Sequence, residues 1–244
     1  MPYSPYELKN NPMTLPFQKA TLLKRYKRFL VDVEIGGTVM TAHCPNSGSM
    51  KGLIRAGGMS WLSVSNNPNR KLSHTLEIIE TDGTLVGVNT HRTNHIVYEA
   101  LKDKNIPELS DYAHIEREVT YGSSRLDFLL TEATQQPTYL EVKNVTLKEG
   151  DRALFPDAPT LRGTKHLNEL MNIKAQGQRA VMLYVVQRND CQRFSIAKTI
   201  DPLYCETLEK AIDCGVEVLA YQCHVTPSHI WLDKPIPLDL DFVR

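Results

Sequence analysis

Cysteine is scarce and shows no pairing pattern. Cys44, Cys191, Cys205, Cys214 and Cys223 are odd in number and contain no Cys-x-x-Cys, which speaks against a disulfide framework and a four-cysteine zinc site and fits a reducing, cytoplasmic setting. Long hydrophobic runs are also missing. The longest, Ala180 to Val186, falls far short of the roughly 20 residues that cross a bilayer, and the first residues show no basic-then-apolar leader pattern. No membrane partner and no secretion are expected. Gly 13 and Pro 14 in 244 residues, with 41% hydrophobic residues, exclude collagen-like and disordered readings. An excess of one charge is absent too, with 28 basic and 28 acidic residues.

That neutrality hides an asymmetry. Residues 1–71 hold only three acids, Glu7, Asp32 and Glu34, against ten Lys/Arg, so the front is basic and the remainder acidic. A basic segment of this kind is the footprint of a polyanion-binding surface, and equally of a solvated barrel edge. The hydrophobic period changes along the chain. Before about residue 90 it is short and strand-like: Phe29–Ile35 turns at Gly36-Gly37 into Thr38–His43, then come Ser60–Val64, with Trp61 in the core, and Leu76–Glu80 turning at Asp82-Gly83 into Leu85–Val88. Five short strands in so few residues predict a small closed barrel.

Beyond residue 90 strands alternate with helices, predicting a mixed sheet with crossovers. Asn94 is the expected cap of a helix with Ile96, Val97, Ala100 and Leu101 inward. Strands follow at Ile115–Leu130, broken at Gly122, and at Thr138–Val142. A helix over Thr164–Gln176 then leads into the strand Ala180–Val186. Asp201-Pro202 starts a last helix, with Leu203, Leu208, Ala211 and Ile212 inward, ahead of Val216–Tyr221. The expected organisation is two domains, 1–88 and 89–244.

The chemistry concentrates in Ser124-Arg-Leu-Asp-Phe-Leu-Leu130 and Thr138-Tyr-Leu-Glu-Val-Lys143. In a strand, Glu141 and Lys143 share one face while Leu140 and Val142 take the other, and Asp127 joins them from the neighbouring strand. Two converging carboxylates want a cation between them, and hard oxygen ligands suit Mg²⁺ or Mn²⁺. An acid followed by Glu-x-Lys resembles the core of the PD-(D/E)XK nuclease superfamily. That resemblance implies Asp127 and Glu141 as metal ligands and Lys143 as the catalytic lysine, with Glu99 as the acid that many members supply from the first helix and the Val142 carbonyl completing the shell. A surface ion pair explains the bare pattern as well.

Further runs extend the likeness. Arg25-Tyr-Lys-Arg-Phe-Leu30, Ala42-His-Cys-Pro-Asn-Ser-Gly-Ser-Met50, Gly87-Val-Asn-Thr90, Glu141-Val-Lys-Asn-Val-Thr146, Phe155-Pro-Asp-Ala158, Arg162-Gly163, Lys165-His-Leu167 and Gly215-Val-Glu-Val-Leu-Ala220 resemble the bacterial and archaeal sugar fermentation stimulation protein A family over about residues 15–235. Pro159 and Leu161 depart from its pattern, and Met1–Thr14 reads as a loose extension. The resemblance implies an N-terminal OB-like barrel, a nuclease-like second domain, DNA as partner, and a role in regulating sugar-utilisation genes.

Within this frame Lys24, Arg25, Tyr26, Lys27 and Arg28 interleave cations with an aromatic, as a strand tracking phosphates does. Ser47 and Ser49 sit in a small-residue loop able to offer amides to a phosphate. Arg162 and Lys165 lie at a helix start beside the acid strand. His166 is expected to be buried or partner-bonded, and His91 and His95 lack a zinc-protease glutamate between them. The reading is a DNA-binding protein without strong sequence specificity, since no helix-turn-helix pattern is present, and a metal-dependent nuclease. The alternatives are a catalytically silent, non-specific DNA-binding regulator of sugar-utilisation genes and, with no residue pattern behind it, a sugar-binding enzyme.

Overall fold

The computed structural model describes residues 17–240; the Met1–Thr14 extension lies outside them. The front of the chain forms β1 (Gln18–Tyr26), β2 (Leu30–Ile35), β3 (Thr38–His43), β4 (Gly58–Val64), β5 (His74–Thr81) and β6 (Thr84–Gly87). Their order is β3-β2-β1-β4-β5-β6, and a parallel contact between β3 and β5 closes five of them into a barrel. Leu22, Val31, Val33, Leu62, Leu76, Ile79 and Val86 fill it. Asp82 and Gly83 adopt φ of 49° and 76°, the left-handed pair that a two-residue hairpin needs and that these residue types tolerate.

The strand pattern at the front differs from expectation in one respect. β1 is longer than the strand-like Lys24–Arg28 run, its first part hidden in sequence because its inward positions are only Ala20 and Leu22 and its register shifts after Leu22. Phe29 stays outside, 44% exposed in the β1–β2 turn, where Lys27 and Arg28 take positive φ.

The remainder comprises α1 (Thr93–Lys102), β7 (His114–Tyr121), β8 (Ser124–Thr131), β9 (Thr138–Val145), β10 (Leu147–Glu149), β11 (Arg152–Phe155), α2 (Leu161–Ala175), β12 (Arg179–Val186), β13 (Arg193–Ile196), α3 (Pro202–Asp213), β14 (Glu217–Val225) and β15 (Ile230–Pro235). The main sheet runs β15-β14-β12-β9-β8-β7. β12 lies parallel to both β9 and β14, and β8 antiparallel to β9, so β9-α2-β12 and β12-α3-β14 are crossover units. A sheet covered on both faces needs continuous apolar strands, which is why every residue of Ala180–Val186 is buried.

One face packs on α1 and on barrel residues Phe17, Trp61 and Ile78; the other packs on α2 and α3. The barrel is thereby joined to the sheet by a shared core, reinforced by Gly87 N–H donating to the Gln187 carbonyl at 2.9 Å. Three helix details correct the sequence reading. A 3-10 turn at Thr90–Arg92, capped by Asn89, precedes α1, so Asn94 lies inside the helix and caps nothing. α2 begins at Leu161 under a Thr160 cap. Leu203 is 51% exposed, and Tyr204 takes the inward position beneath the Asp201 cap. The small sheet β10-β11-β13 was not anticipated, because its strands are three or four residues long.

Candidate active site

Register builds the site. Phe128 on β8 opposes Leu140 on β9, and the recorded pairing of these strands goes no further in that direction. The next residues, Asp127 and Glu141, therefore point to the opposite face at the place where the two strands part. The Val142 N–H, freed from the ladder, donates to Asp127 Oδ2 at 2.7 Å, and Asn94 Nδ2 from the first turn of α1 donates to Oδ1 at 2.7 Å. Glu141 is 2% exposed. Its Oε1 accepts from Lys143 Nζ at 2.5 Å and from His166 Nδ1 on α2. Its Oε2 is buried and has no hydrogen-bond partner among the described residues.

Arg162 Nε donates to His166 Nε2 at 3.4 Å. That assignment makes Nε2 the acceptor and places the proton on Nδ1, facing Glu141. The 3.2 Å approach of Lys143 Nζ to the same Nδ1 is then a contact and not a second bond.

Burial first, and the Glu141 charge second, push the Asp127 carboxyl up to about 7. Burial opposes ionisation of Glu141 as well, but Lys143 and His166 outweigh it, so that this carboxyl is held below its usual range. The pair thus divides into one ionised acid and one reluctant acid, as expected of like charges crowded together without a cation. Among the described residues no cluster of three or more His, Cys, Asp or Glu side chains is disposed to hold a metal. What is present is a two-carboxylate oxygen set with one lone, buried acceptor. That set is of the chemistry a hard divalent cation keeping several of its waters would accept, and Asp127 and Glu141 are the residues that could hold one.

These groups lie in a cleft of about 590 Å³ whose lining includes Ser47, His91, Asn94, Arg117, Arg125 and Arg162 beside Asp127, Glu141 and Lys143. The structure sorts the predicted residues sharply. Asp127, Glu141, Lys143, Ser47 and Arg162 converge here. Glu99 does not: it pairs with Lys102 at 3.5 Å. The resemblance pointed to an acid on α1, but five residues at 3.6 per turn put Glu99 about 140° around the helix from Asn94, and the amide of Asn94 is what meets Asp127.

Arg25 is spent on structure, donating to the carbonyls of Arg28, Asn46, Gly48 and Ser49. Tyr26 bonds to Asp32 and Thr41, and Lys24 pairs with Asp32 at 3.4 Å. Lys27 and Arg28 are exposed at the barrel turn. The Ser49 hydroxyl donates to Asp157 Oδ2, which also accepts from Met50 N–H; a Cβ on Gly48 would meet the Asp157 carboxylate at 2.5 Å, so this close approach requires glycine. Lys165 reaches the Ser123 carbonyl at 2.8 Å. Sequence reasoning read Asn94 only as a helix cap and passed over Arg117 and Arg125. Their only sequence signal is position: Arg125 stands two residues before Asp127, and Arg117 opposes Phe128 in the strand pairing.

A closed barrel, then a helix-flanked mixed sheet carrying an acid pair and a lysine at a strand fork, defines a protein with an OB domain ahead of a mixed-sheet domain with flanking helices. Family models agree in both halves: the N-terminal OB domain of the sugar fermentation stimulation protein matches residues 23–88, and that protein's RE domain matches residues 91–229. The chain belongs to the sugar fermentation stimulation protein family. It is 50% identical to a homologue from Magnetococcus marinus, over 92% of this chain and 97% of that one, and 50% identical to one from Geobacter metallireducens, over 92% and 98%. The solved structure of Pyrococcus furiosus SfsA in complex with Ca²⁺ superposes with a TM-score of 0.85 at 26% identity, covering 92% of this chain and 96% of that one. No helix of the described residues is long and apolar enough to cross a membrane.

Proposed function

We propose that this protein is a divalent-cation-dependent nuclease acting on DNA, with Asp127 and Glu141 holding Mg²⁺ or Mn²⁺ and Lys143 beside them. The observation that carries the reading is Glu141: a buried carboxylate with one oxygen accepting two hydrogen bonds and the other unpartnered among the described residues, set next to a second carboxyl that burial first, and the Glu141 charge second, push up to about 7. A buried acceptor without a donor costs about 1–3 kcal/mol, and a cation removes that cost while allowing both acids to ionise. The P. furiosus relative solved with Ca²⁺ supports the same class of hard, oxygen-seeking ion here.

When bound, the cation supplies an activated water and neutralises charge growing on a phosphoryl oxygen. The chain's own groups do the rest. Asn94 and the Val142 amide orient Asp127; His166 fixes Glu141 so that one oxygen stays free for the ion. The Lys143 ammonium offsets negative charge in the cleft and holds a water or phosphate oxygen in the course of displacement. Ser47, Lys27 and Arg28 are further proposed contacts to the nucleic-acid backbone.

A second reading, a silent DNA-binding regulator built on the same frame, draws on one observation: Lys143 is bound to Glu141 at 2.5 Å. A cleavage assay with Mg²⁺ and Mn²⁺ on single-stranded, duplex and branched DNA separates the two. Metal-dependent cleavage lost in Asp127→Asn and Glu141→Gln supports the nuclease; binding without cleavage on every substrate supports the regulator; neither binding nor cleavage refutes both.

A further inference from the structure

The sequence places the strongest basic signal on the barrel, at Lys24–Arg28, yet the structure points elsewhere for the principal contacts to a nucleic-acid backbone and leaves Lys27 and Arg28 as secondary ones. Arg25 has its guanidinium turned onto four backbone carbonyls and Lys24 is paired with Asp32. Neither Lys27 nor Arg28 lines the cleft. Three other arginines do: Arg117 on β7, Arg125 on β8 and Arg162 in the first turn of α2. All three are exposed, whereas Glu141 in the same cleft is buried, so a cationic rim surrounds an anionic floor.

We infer that Arg117, Arg125 and Arg162 form the phosphate-binding rim of this cleft, gripping the DNA phosphates on either side of the one presented to Asp127 and Glu141, and that Glu118 restrains the rim by holding Arg125. This rests on the nuclease or DNA-binding reading above and adds to it where the strand is held.

The geometry supplies the reasons. Arg162 uses Nε on His166, leaving its two terminal nitrogens for a ligand, and the α2 N-terminus beside it favours negative charge. Arg117 lies 5.0 Å over the Tyr98 ring, which orients the guanidinium without consuming its donors. Arg125 is the one that is occupied: its Nε contacts Glu118 at 2.8 Å. Glu118 is a non-glycine residue at φ 56°, facing the gap in the β7–β8 pairing opposite Asp127, and it lines the same cleft. An acid at that point opposes an incoming phosphate and competes for Arg125. Guanidinium suits the task because its planar fork matches a phosphate bidentately. Glu118 and Arg125 are both about half exposed or more, so their pair is weak and a phosphate displaces it readily.

The test is equilibrium binding of labelled single-stranded and duplex DNA to the full chain across a salt series, in Ca²⁺ and again in EDTA. Each phosphate contact removed lowers the slope of log affinity against log salt by about 0.7 on single strands and about 0.9 on duplex. Arg117→Ala, Arg125→Ala and Arg162→Ala are each expected to weaken binding about 5- to 10-fold and flatten the slope by about that amount. Glu118→Gln, which frees Arg125, is expected to tighten binding about 2- to 5-fold, and that gain disappears when Arg125→Ala is added. Lys27→Ala/Arg28→Ala is expected to change the slope less than any one rim arginine. A parent that binds DNA with a slope unaltered by the three arginine substitutions, or with most of it carried by Lys27 and Arg28, overturns the rim while leaving the broader reading intact. A parent that binds no DNA even at low salt refutes the reading and the rim together.

Discussion

Two buried glutamates, one at the joint between the domains and one in the cleft, show what full and partial satisfaction mean in this molecule. Glu77 on β5 is 1% exposed, and both its oxygens are filled: Ser63 and Arg92 Nη2 donate to Oε1, Asn89 and Arg92 Nε to Oε2. It ties the barrel to the turn that opens α1, and hence to the helix carrying Asn94. Glu141 is 2% exposed but keeps Oε2 empty beside a second carboxyl. The first arrangement holds a shape. The second leaves one oxygen without a hydrogen-bond partner among the described residues, and burial alone does not distinguish them.

The comparison breaks most visibly in activity. Glu141→Gln is expected to lower cation-dependent DNA cleavage at least about 100-fold and to reduce divalent-ion affinity, read by calorimetry, while costing less than about 2 kcal/mol in metal-free urea unfolding, since Asp127, freed of its neighbour's charge, ionises and compensates Lys143 in its place. Glu77→Gln is expected to do the opposite. It strands Arg92 in the joint, costs about 3–5 kcal/mol, and leaves the cation affinity of the folded protein within about twofold. Equal stability losses in the two variants would dissolve the distinction.

Asp190 is the intermediate case. Arg188 and Lys148 bond to it; burial works against them, yet its carboxyl sits well below the usual range. A depressed carboxylate contributes stability above the unfolded pKa of about 3.9 and loses it progressively as pH falls toward the folded value. Asp190→Asn is therefore expected to cost about 1–2 kcal/mol at pH 7, with the gap from the parent narrowing progressively as pH falls below about 4. A gap that stayed constant over that range, measured by urea unfolding, would mean the ion pairs contribute nothing.

Much of this was legible in the sequence, for identifiable reasons. Asp82-Gly83 demands a tight turn whatever surrounds it, Ala180–Val186 is too apolar to be anything but a central strand, and the spacing of Glu141 and Lys143 puts them on one face by the geometry of a strand. What stayed hidden depends on contacts between distant segments. Arg25 looks like a phosphate ligand in sequence because nothing local says that the 46–49 loop folds back over it. Asn94 looks like a cap because the 3-10 turn before α1, and the carboxyl it meets on β8, are tertiary facts. His166 reads as buried or partner-bonded; it is both, and its partner, Glu141, lies 25 residues away.

Glu99 brings the comparison down to its smallest effect and its clearest decision. It is an acid on the first helix, where the superfamily resemblance looks for a metal ligand, yet it is about one-third exposed and paired with Lys102 one turn on. A pair of this spacing on a helix surface is worth about 0.2–0.5 kcal/mol and weakens with salt. Glu99→Gln is accordingly expected to cost no more than that in urea unfolding, and to leave both cation affinity and DNA cleavage within about twofold of the parent. Asn94→Ala, by contrast, removes a donor from Asp127 and is expected to lower cleavage about 5- to 20-fold through misplacement of that carboxylate. If Glu99→Gln proved the more damaging, α1 would have to rotate on ion binding to bring Glu99 inward, and the acid pair would become a triad. If Asn94→Ala is the more damaging, the amide has taken the place of the helix acid, and Glu99 does no more than hold Lys102 at the surface.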